Sequence, residues 1–432
     1  MLLETYRFAV RLADSLPGLP GRLGRAVTGR REAGERWMSW AHSQRNPDPL
    51  VWIHGSSVGE ALTAAPIAAR LRAALPGLQV VHSYSSPSAA RWPAPFEREH
   101  ADYLPLDLPG PIARVLDAVQ PSLLVFARGD LWPELVMQAG RMGVPMAVLG
   151  ASVRPTSLRL RLPVRALYRK MLQEVSWVGA ATPGDAERWR TLGALEERVT
   201  VSGDPRHDQV LERITDLTSL GRLPEWATQG PTLIAGSVEP SDELVLLDAA
   251  QRVCSTHPAA RCLIVPHAPE RPHLDRLSRL AAARDLESER WTPTQEGRPT
   301  ARCVIAEARG MLNDLYVLGS LAYVGGGFRA GKLHTTIEPA AYGLPVMIGP
   351  RWDASPDART LVREGGGVAL PHRGAAGALA HQWLTWLEDD QGARDAGLAA
   401  RRTLTQGAAS LSTQRLLDLL DADSGGGTSA RR

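Results

Sequence analysis

The run Gly325-Gly326-Gly327, with His334 and Thr335 beyond it and Glu338 close behind, lies between apolar stretches at 321–324 and 345–348. Residues without side chains just past a strand let a ligand come close to the backbone. A helix starting after such a loop turns unpaired N–H groups toward that ligand, which suits a phosphate. Glu338, one turn into that helix, can accept hydrogen bonds from two ribose hydroxyls. Phosphate at the loop and sugar at the acid describe a nucleotide cradle. The same glycines also suit an ordinary turn, because neither G-x-G-x-x-G spacing nor a Walker lysine-serine pair is present.

A second acid, Glu60, follows the apolar run 51–53 and the sequence His54-Gly55-Ser56-Ser57-Val58-Gly59. A carboxylate at a helix entrance over a strand end can deprotonate an acceptor hydroxyl. Ser57 and Glu60 also have the spacing of a capping box, which needs no catalysis. Arg128 and Asp130 come just after the run 122–126, and Pro133 opens the next helix. They can orient a polar acceptor or form an ion pair. Gly203-Asp204-Pro205-Arg206-His207-Asp208 ends the first half of the chain. In the second half Ser237-Val238-Glu239 follows one strand, and Pro266-His267-Ala268-Pro269-Glu270-Arg271 follows the next. His267 and Arg271 are candidates for a phosphate oxygen. Each of these loops alone reads as surface charge; together they carry polar groups to the ends of several strands.

Parallel sheets covered by helices are the elements that hold such loops. Apolar runs at 50–54, 79–83, 102–105, 122–126, 145–149, 176–180 and 200–202 alternate with helical stretches. After residues 204–230, which lose periodicity, the alternation resumes at 232–235, 261–265, 303–305, 321–324, 346–348 and 368–370. The expectation is an α/β protein of two doubly wound, Rossmann-like domains facing a cleft, with ligands at the carboxyl ends of the strands. Boundaries fall at 41–205 for the first domain, 206–230 for a linker and 231–422 for the second with its C-terminal helices. Residues 423–432 read as a disordered tail.

The 432 residues are 44% hydrophobic, with a formal net charge of +3, too small to argue for nucleic acid. No stretch reaches the ~18–20 apolar residues that span a bilayer. No signal peptide is expected, since Glu4, Arg7, Arg11 and Asp14 interrupt any apolar segment. The three cysteines lack metal spacing and fit reduced thiols of a cytoplasmic protein. Residues 1–40 are set apart: Leu2, Tyr6, Val10 and Ala13 share one helical face, and six arginines stand against two acids in the first 31 positions. That pattern suits an anionic membrane surface, or a helix packed on its own domain.

In this order, His54-x-x-Ser57-Val58-Gly59-Glu60, Asp130-Leu131-Trp132-Pro133, the 203–208 and 266–271 segments, and Gly325 through Pro339 resemble the Kdo (3-deoxy-D-manno-octulosonic acid) transferases of lipopolysaccharide synthesis. The resemblance covers roughly residues 1 to 410. It implies a GT-B architecture, CMP-Kdo as donor, a lipid A precursor as acceptor, and a peripheral place on the cytoplasmic face of the inner membrane. It also implies Glu60 as catalytic base of an inverting transfer. Donor binding would fall to Ser237, His267, Arg271, Gly326, Gly327, His334, Thr335 and Glu338. Ser57, Gly59, Arg128, Asp130 and Arg206 are left to the acceptor side or to structure. The family usually has glutamates at the positions of Arg128 and Asp130 and an asparagine at that of Thr335. Its Ser-Thr-His is here Ser237-Val238-Glu239, and its Pro-Arg-His-Pro is Pro266-His267-Ala268-Pro269. No cofactor is expected, and with no paired-acid motif in view neither is a metal. Two alternatives stay open: a GT-B enzyme with another donor or acceptor, and a non-catalytic nucleotide-binding scaffold.

Overall fold

Aliphatic runs buried on both faces pair in parallel when helices connect them. In the computed structural model, which describes residues 2–16, 21–87, 89–91, 97–213, 223–292 and 298–426, fourteen strands among the described residues form two sheets. The chain divides into two compact units, one of Met1–Gln209 with Thr405–Arg432 and one of Val210–Leu404.

The first unit holds β1 (Leu50–His54), β2 (Gln79–Tyr84), β3 (His100–Tyr103), β4 (Leu123–Ala127), β5 (Met146–Ala151), β6 (Trp177–Ala180) and β7 (Val199–Val201). All neighbours are parallel, in the order β3-β2-β1-β4-β5-β6-β7. From β1 the chain winds outward one way and then the other, so the β1/β4 junction is the switch point where such sheets open at their carboxyl ends. Trp37 and Trp52 stack 4.8 Å apart in the core below, an arrangement worth about 1 kcal/mol beyond burial itself.

The second unit repeats the plan with β8 (Thr232–Val238), β9 (Arg261–Pro266), β10 (Ser288–Trp291), β11 (Cys303–Ala306), β12 (Leu321–Val324), β13 (Val346–Ile348) and β14 (Gly367–Ala369). The order is β10-β11-β9-β8-β12-β13-β14, again all parallel. Here the switch point lies between β8 and β12. Thirteen of the strands answer to the apolar runs of the sequence; β10, Ser-Glu-Arg-Trp, is an edge strand that is only partly buried and carries no such run.

Several boundaries differ from the sequence reading. The C-terminal helix Ala408–Gly426 belongs to the first unit, where Ala409, Leu416 and Leu420 share a core with Ile67 and Leu71 of the helix Val58–Ala74. Asp208 fixes its start by accepting from the N–H groups of Gly407 (2.6 Å) and Ala409 (2.7 Å). The sequence reading assigns this helix to the second domain, because a helical pattern does not show which sheet will cover it. Residues 206–230 include two helices, Pro205–Glu212 and Leu223–Ala227, while 214–222 lie outside the described residues. Of the expected tail, 423–426 continue the last helix and 427–432 lie outside the described residues.

The first forty residues are not one segment laid on the surface. The helix Gly21–Gln44 places Ala33, Trp37, Trp40 and Ala41 in the first core. The helix Leu2–Ser15 docks by its polar groups: Tyr6 donates to the buried Asp107 at 2.7 Å, and Arg7 pairs with the fully buried Glu134 at 2.7 Å. Leu2, Tyr6, Val10 and Ala13 are half-buried on that docked side. The apolar residues in solvent are instead Phe8 (66% exposed), Leu12 (50%) and Leu16 (46%). Among the described residues no helix is long and apolar enough to cross a membrane.

Candidate active site

Two clusters of polar groups stand at the two switch points, one in each unit. In the first, Ser57 has extended backbone and caps the helix Val58–Ala74. Its hydroxyl accepts from the Glu60 N–H at 3.4 Å, and the Glu60 carboxylate accepts from the Ser57 N–H at 3.0 Å. The capping box is therefore real, and it aims Glu60 at the carboxyl edge of the sheet. Burial, then the charge of Asp130, raise the Glu60 pKa, while His54, the Ser57 N–H and Arg128 lower it. Among the described residues only one Glu60 oxygen is hydrogen-bonded, and a Cβ on the exposed Gly59 beside it would meet nothing within 4 Å. A carboxyl held by one oxygen, in reach of solvent and with a raised pKa, is equipped to take a proton.

His54, fully buried at the end of β1, joins this cluster to the core. Its Nδ1 lies 2.8 Å from the Ser83 hydroxyl, which also accepts from the Trp52 indole at 2.8 Å. Its Nε2 is 3.7 Å from Asp130. Asp130 further accepts from Ser56 and from the Trp132 indole (3.2 Å), with Arg159 at 3.7 Å. Burial opposes ionisation of Asp130, but hydrogen bonding and charge from His54, then Arg159, hold its pKa below the usual carboxylate range. Asp130 is thus a fixed anion beside Glu60.

Arg128 takes a left-handed backbone (φ 59) and turns to Asp204, at 2.7 Å. Arg206 grips the same Asp204 at 2.6 Å. Despite burial, the two guanidinium groups hold the Asp204 carboxyl far below its usual pKa. Arg206 and Arg128 thus share one buried carboxylate, a partner that the neighbourhood of Arg128 in sequence does not reveal. His54, Ser83, Asp204 and Arg159 were not among the candidate residues. His54 and Asp204 lie inside motifs the sequence displays; Ser83 and Arg159 follow no spacing rule.

In the second unit the glycine loop is tight for an internal reason. A Cβ on Gly325 would lie 2.2 Å from the Ser237 carbonyl, one on Gly326 2.1 Å from that of Lys332, and one on Gly327 2.6 Å from the Gly349 nitrogen. The space that glycine leaves is filled by the protein's own backbone rather than kept for a ligand. Asp242, also missed by the sequence reading, ties the loop down, accepting from Gly326 N (2.8 Å), Glu239 N (2.8 Å) and the Tyr323 hydroxyl (3.0 Å). Burial raises its pKa against these donors.

Ser237 has φ 51 and is half-buried at the end of β8. His267 and His334 come together, their rings 4.3 Å apart, and His334 Nε2 meets Glu239 at 3.1 Å. Burial and then His267 lower the His334 pKa, against the pull of Glu239. Thr335 accepts from Ile337 N at 3.3 Å and so serves the five-residue helix Ile337–Ala341. Glu338 keeps partial contact with solvent, yet burial pushes its pKa up to about 7, with Asp314 raising and Arg213 lowering it. Arg271, the first residue of the helix Arg271–Ala282, is exposed.

Comparison with known proteins adds relatives to this geometry. Residues 31–209 match a family model described as 3-Deoxy-D-manno-octulosonic-acid transferase (kdotransferase). The chain is 26% identical over 398 residues to the 3-deoxy-D-manno-octulosonic acid transferase of Haemophilus influenzae, covering 90% of this chain and 91% of that one. It is 28% identical over 412 residues to the enzyme of that name from Bordetella pertussis, covering 90% and 93%. Among solved structures, a putative UDP-N-acetylglucosamine 2-epimerase from Listeria monocytogenes superposes with a TM-score of 0.60 at 13% identity, over 87% of this chain and 97% of that one. A glycosyltransferase from Rickettsia africae gives 0.57 at 14% identity, over 88% and 99%. These two likenesses are of fold, the GT-B class of paired doubly wound domains.

Proposed function

We propose that this chain, which resembles the 3-deoxy-D-manno-octulosonic acid transferases over 90% of its length, moves Kdo from CMP-Kdo onto a hydroxyl of a lipid A precursor. Glu60 accepts the proton of that hydroxyl. The freed oxygen forms a bond to the anomeric carbon of Kdo as the bond from that carbon to the CMP phosphate breaks, with inversion. The electron pair of the broken bond leaves on CMP. The observation that carries this reading is the placement of Glu60, aimed by its own capping box at the β1/β4 switch point with a raised pKa. Asp130, kept ionised by His54 and Arg159, favours the proton on Glu60 once the hydroxyl has given it up. The β8/β12 edge, with its glycine loop, His267, His334 and Glu338, is the donor half of this reading.

The lipid acceptor implies a protein seated on the cytoplasmic face of the inner membrane. Phe8 and Leu12, one turn apart on the helix Leu2–Ser15, with Leu16 just past its end and Arg11 beside Leu12, are an exposed surface that lipid can cover.

The test is Glu60→Gln assayed with CMP-Kdo and a tetra-acylated lipid A precursor. Glutamine still serves the capping box, so melting and CMP affinity should hold while transfer falls ~10²–10⁴-fold, the usual weight of one general base. Transfer near the wild-type rate would leave Glu60 as a helix cap. Thermal shifts with CMP against UDP identify the nucleotide in the same preparation.

A further inference from the structure

We propose that Glu239, His267 and His334 bind a divalent transition-metal ion at the carboxyl edge of the second sheet. The three side chains come from three loops, after β8, after β9 and after β12. Their ligand atoms, one carboxylate oxygen and two imidazole nitrogens, all lie within 4.8 Å of one another. The His334 Nε2 to Glu239 Oε1 distance is 3.1 Å, close to the spacing of two ligands that each stand about 2.0–2.2 Å from one tetrahedral ion. His267 is exposed, so its ring can turn to complete the set.

Backbone hydrogen bonds hold the three loops in place without help from an ion. His267 N donates to Val238 O (3.0 Å), His334 N donates to Gly325 O (3.1 Å), and Glu239 N donates to Asp242 (2.8 Å). Two imidazoles and one carboxylate favour zinc or cobalt over magnesium, which prefers oxygen alone. Three protein ligands on an exposed edge leave a coordination position open, as catalytic sites do.

The charges explain what the ion would do, and this part rests on the proposed donor half. Glu239 is a carboxylate at the edge where a nucleotide phosphate would sit, and two anions there repel. An ion held by Glu239 and the two imidazoles would reverse that sign and offer its open position to a phosphate oxygen. The absence of metal spacing in the sequence gives no hint of this, because the ligands stand 28 and 67 positions apart along the chain.

The experiment uses the full, tag-free chain after chelator treatment, titrated with cobalt(II) and followed by its visible d–d absorption and by elemental analysis. One equivalent should bind with the intense band of a tetrahedral site. Glu239→Gln, His267→Ala and His334→Gln should each weaken binding by roughly 10–100-fold or more, while His257→Ala, at the opposite end of β9, should not. A cooperative melt of each variant without metal verifies that it is folded. No uptake, or uptake equal in all variants, overturns the site. Added CMP should then shift the cobalt band; an unmoved band while calorimetry shows CMP bound overturns the phosphate role and leaves the ion site standing. Because cobalt uptake is read without donor, its failure is distinct from a failure of sugar transfer.

Discussion

A carboxyl whose pKa burial has pushed up to about 7, as in Glu338, is half ionised in neutral buffer. In the unfolded chain the same group titrates at 4.5. Its stabilising contribution is therefore complete below pH 4.5 and is lost as pH rises through 7, since ionisation then favours the unfolded chain. The second unit should lose about 1–3 kcal/mol of stability between pH 5 and 8 from this group, a figure reduced for its contact with solvent. Glu338→Gln should flatten that slope in melts taken across the range; an unchanged slope assigns it to other groups. CMP affinity should run the other way, rising through pH 7 as the ionised acid becomes the better acceptor for ribose hydroxyls. Glu338 and Glu60 could be read from the sequence because each follows a glycine turn at a strand end. The reason for the glycines could not, because the carbonyls that crowd Gly325 and Gly326 belong to Ser237 and Lys332, and no spacing rule announces a backbone approach.

At the scale of elements, the helix Leu2–Ser15 separates two roles along its length. Arg7 neutralises Glu134, which is fully buried, and Arg7→Ala should destabilise the first unit by on the order of 3 kcal/mol, the penalty of a buried charge losing its partner. Phe8 and Leu12 make no such link. Phe8→Glu with Leu12→Glu should leave melting within ~0.5 kcal/mol of wild type, yet reduce sedimentation with anionic vesicles. If the double variant still sediments fully, lipid does not cover this stripe; if it unfolds, the stripe is core. Periodicity announced the amphipathic helix and left its apolar face open to lipid or to its own domain, because Tyr6 and Arg7 are read as surface until Asp107 and Glu134 are seen beneath them. The edge strand β10 escaped for a related reason, since Ser288 to Arg290 are half-buried and carry no apolar run.

At the scale of the whole chain, the 203–208 segment works as a clamp. Asp204 gathers Arg128 and Arg206, His207 meets Thr405 at 3.2 Å, and Asp208 caps the returning helix. Asp208→Ala would strand two N–H groups, at about 1–3 kcal/mol each when buried. Calorimetry should show the transition of the first unit lowered while that of the second stays in place; coincident, unshifted transitions would show that the helix needs no cap. In topology the second unit is an insertion in the first, entered at Val210 and left at Leu404. The ribosome must therefore make about 200 further residues, some 10–40 s of synthesis at ordinary rates, before the first sheet receives its last helix. Until then the outer flank of Val58–Ala74, with Ile67 and Leu71, lies bare. A chain that stalls anywhere in the insertion keeps that flank open, so an unfinished molecule is marked for chaperone or protease by the same helix that presents Glu60 in the finished one.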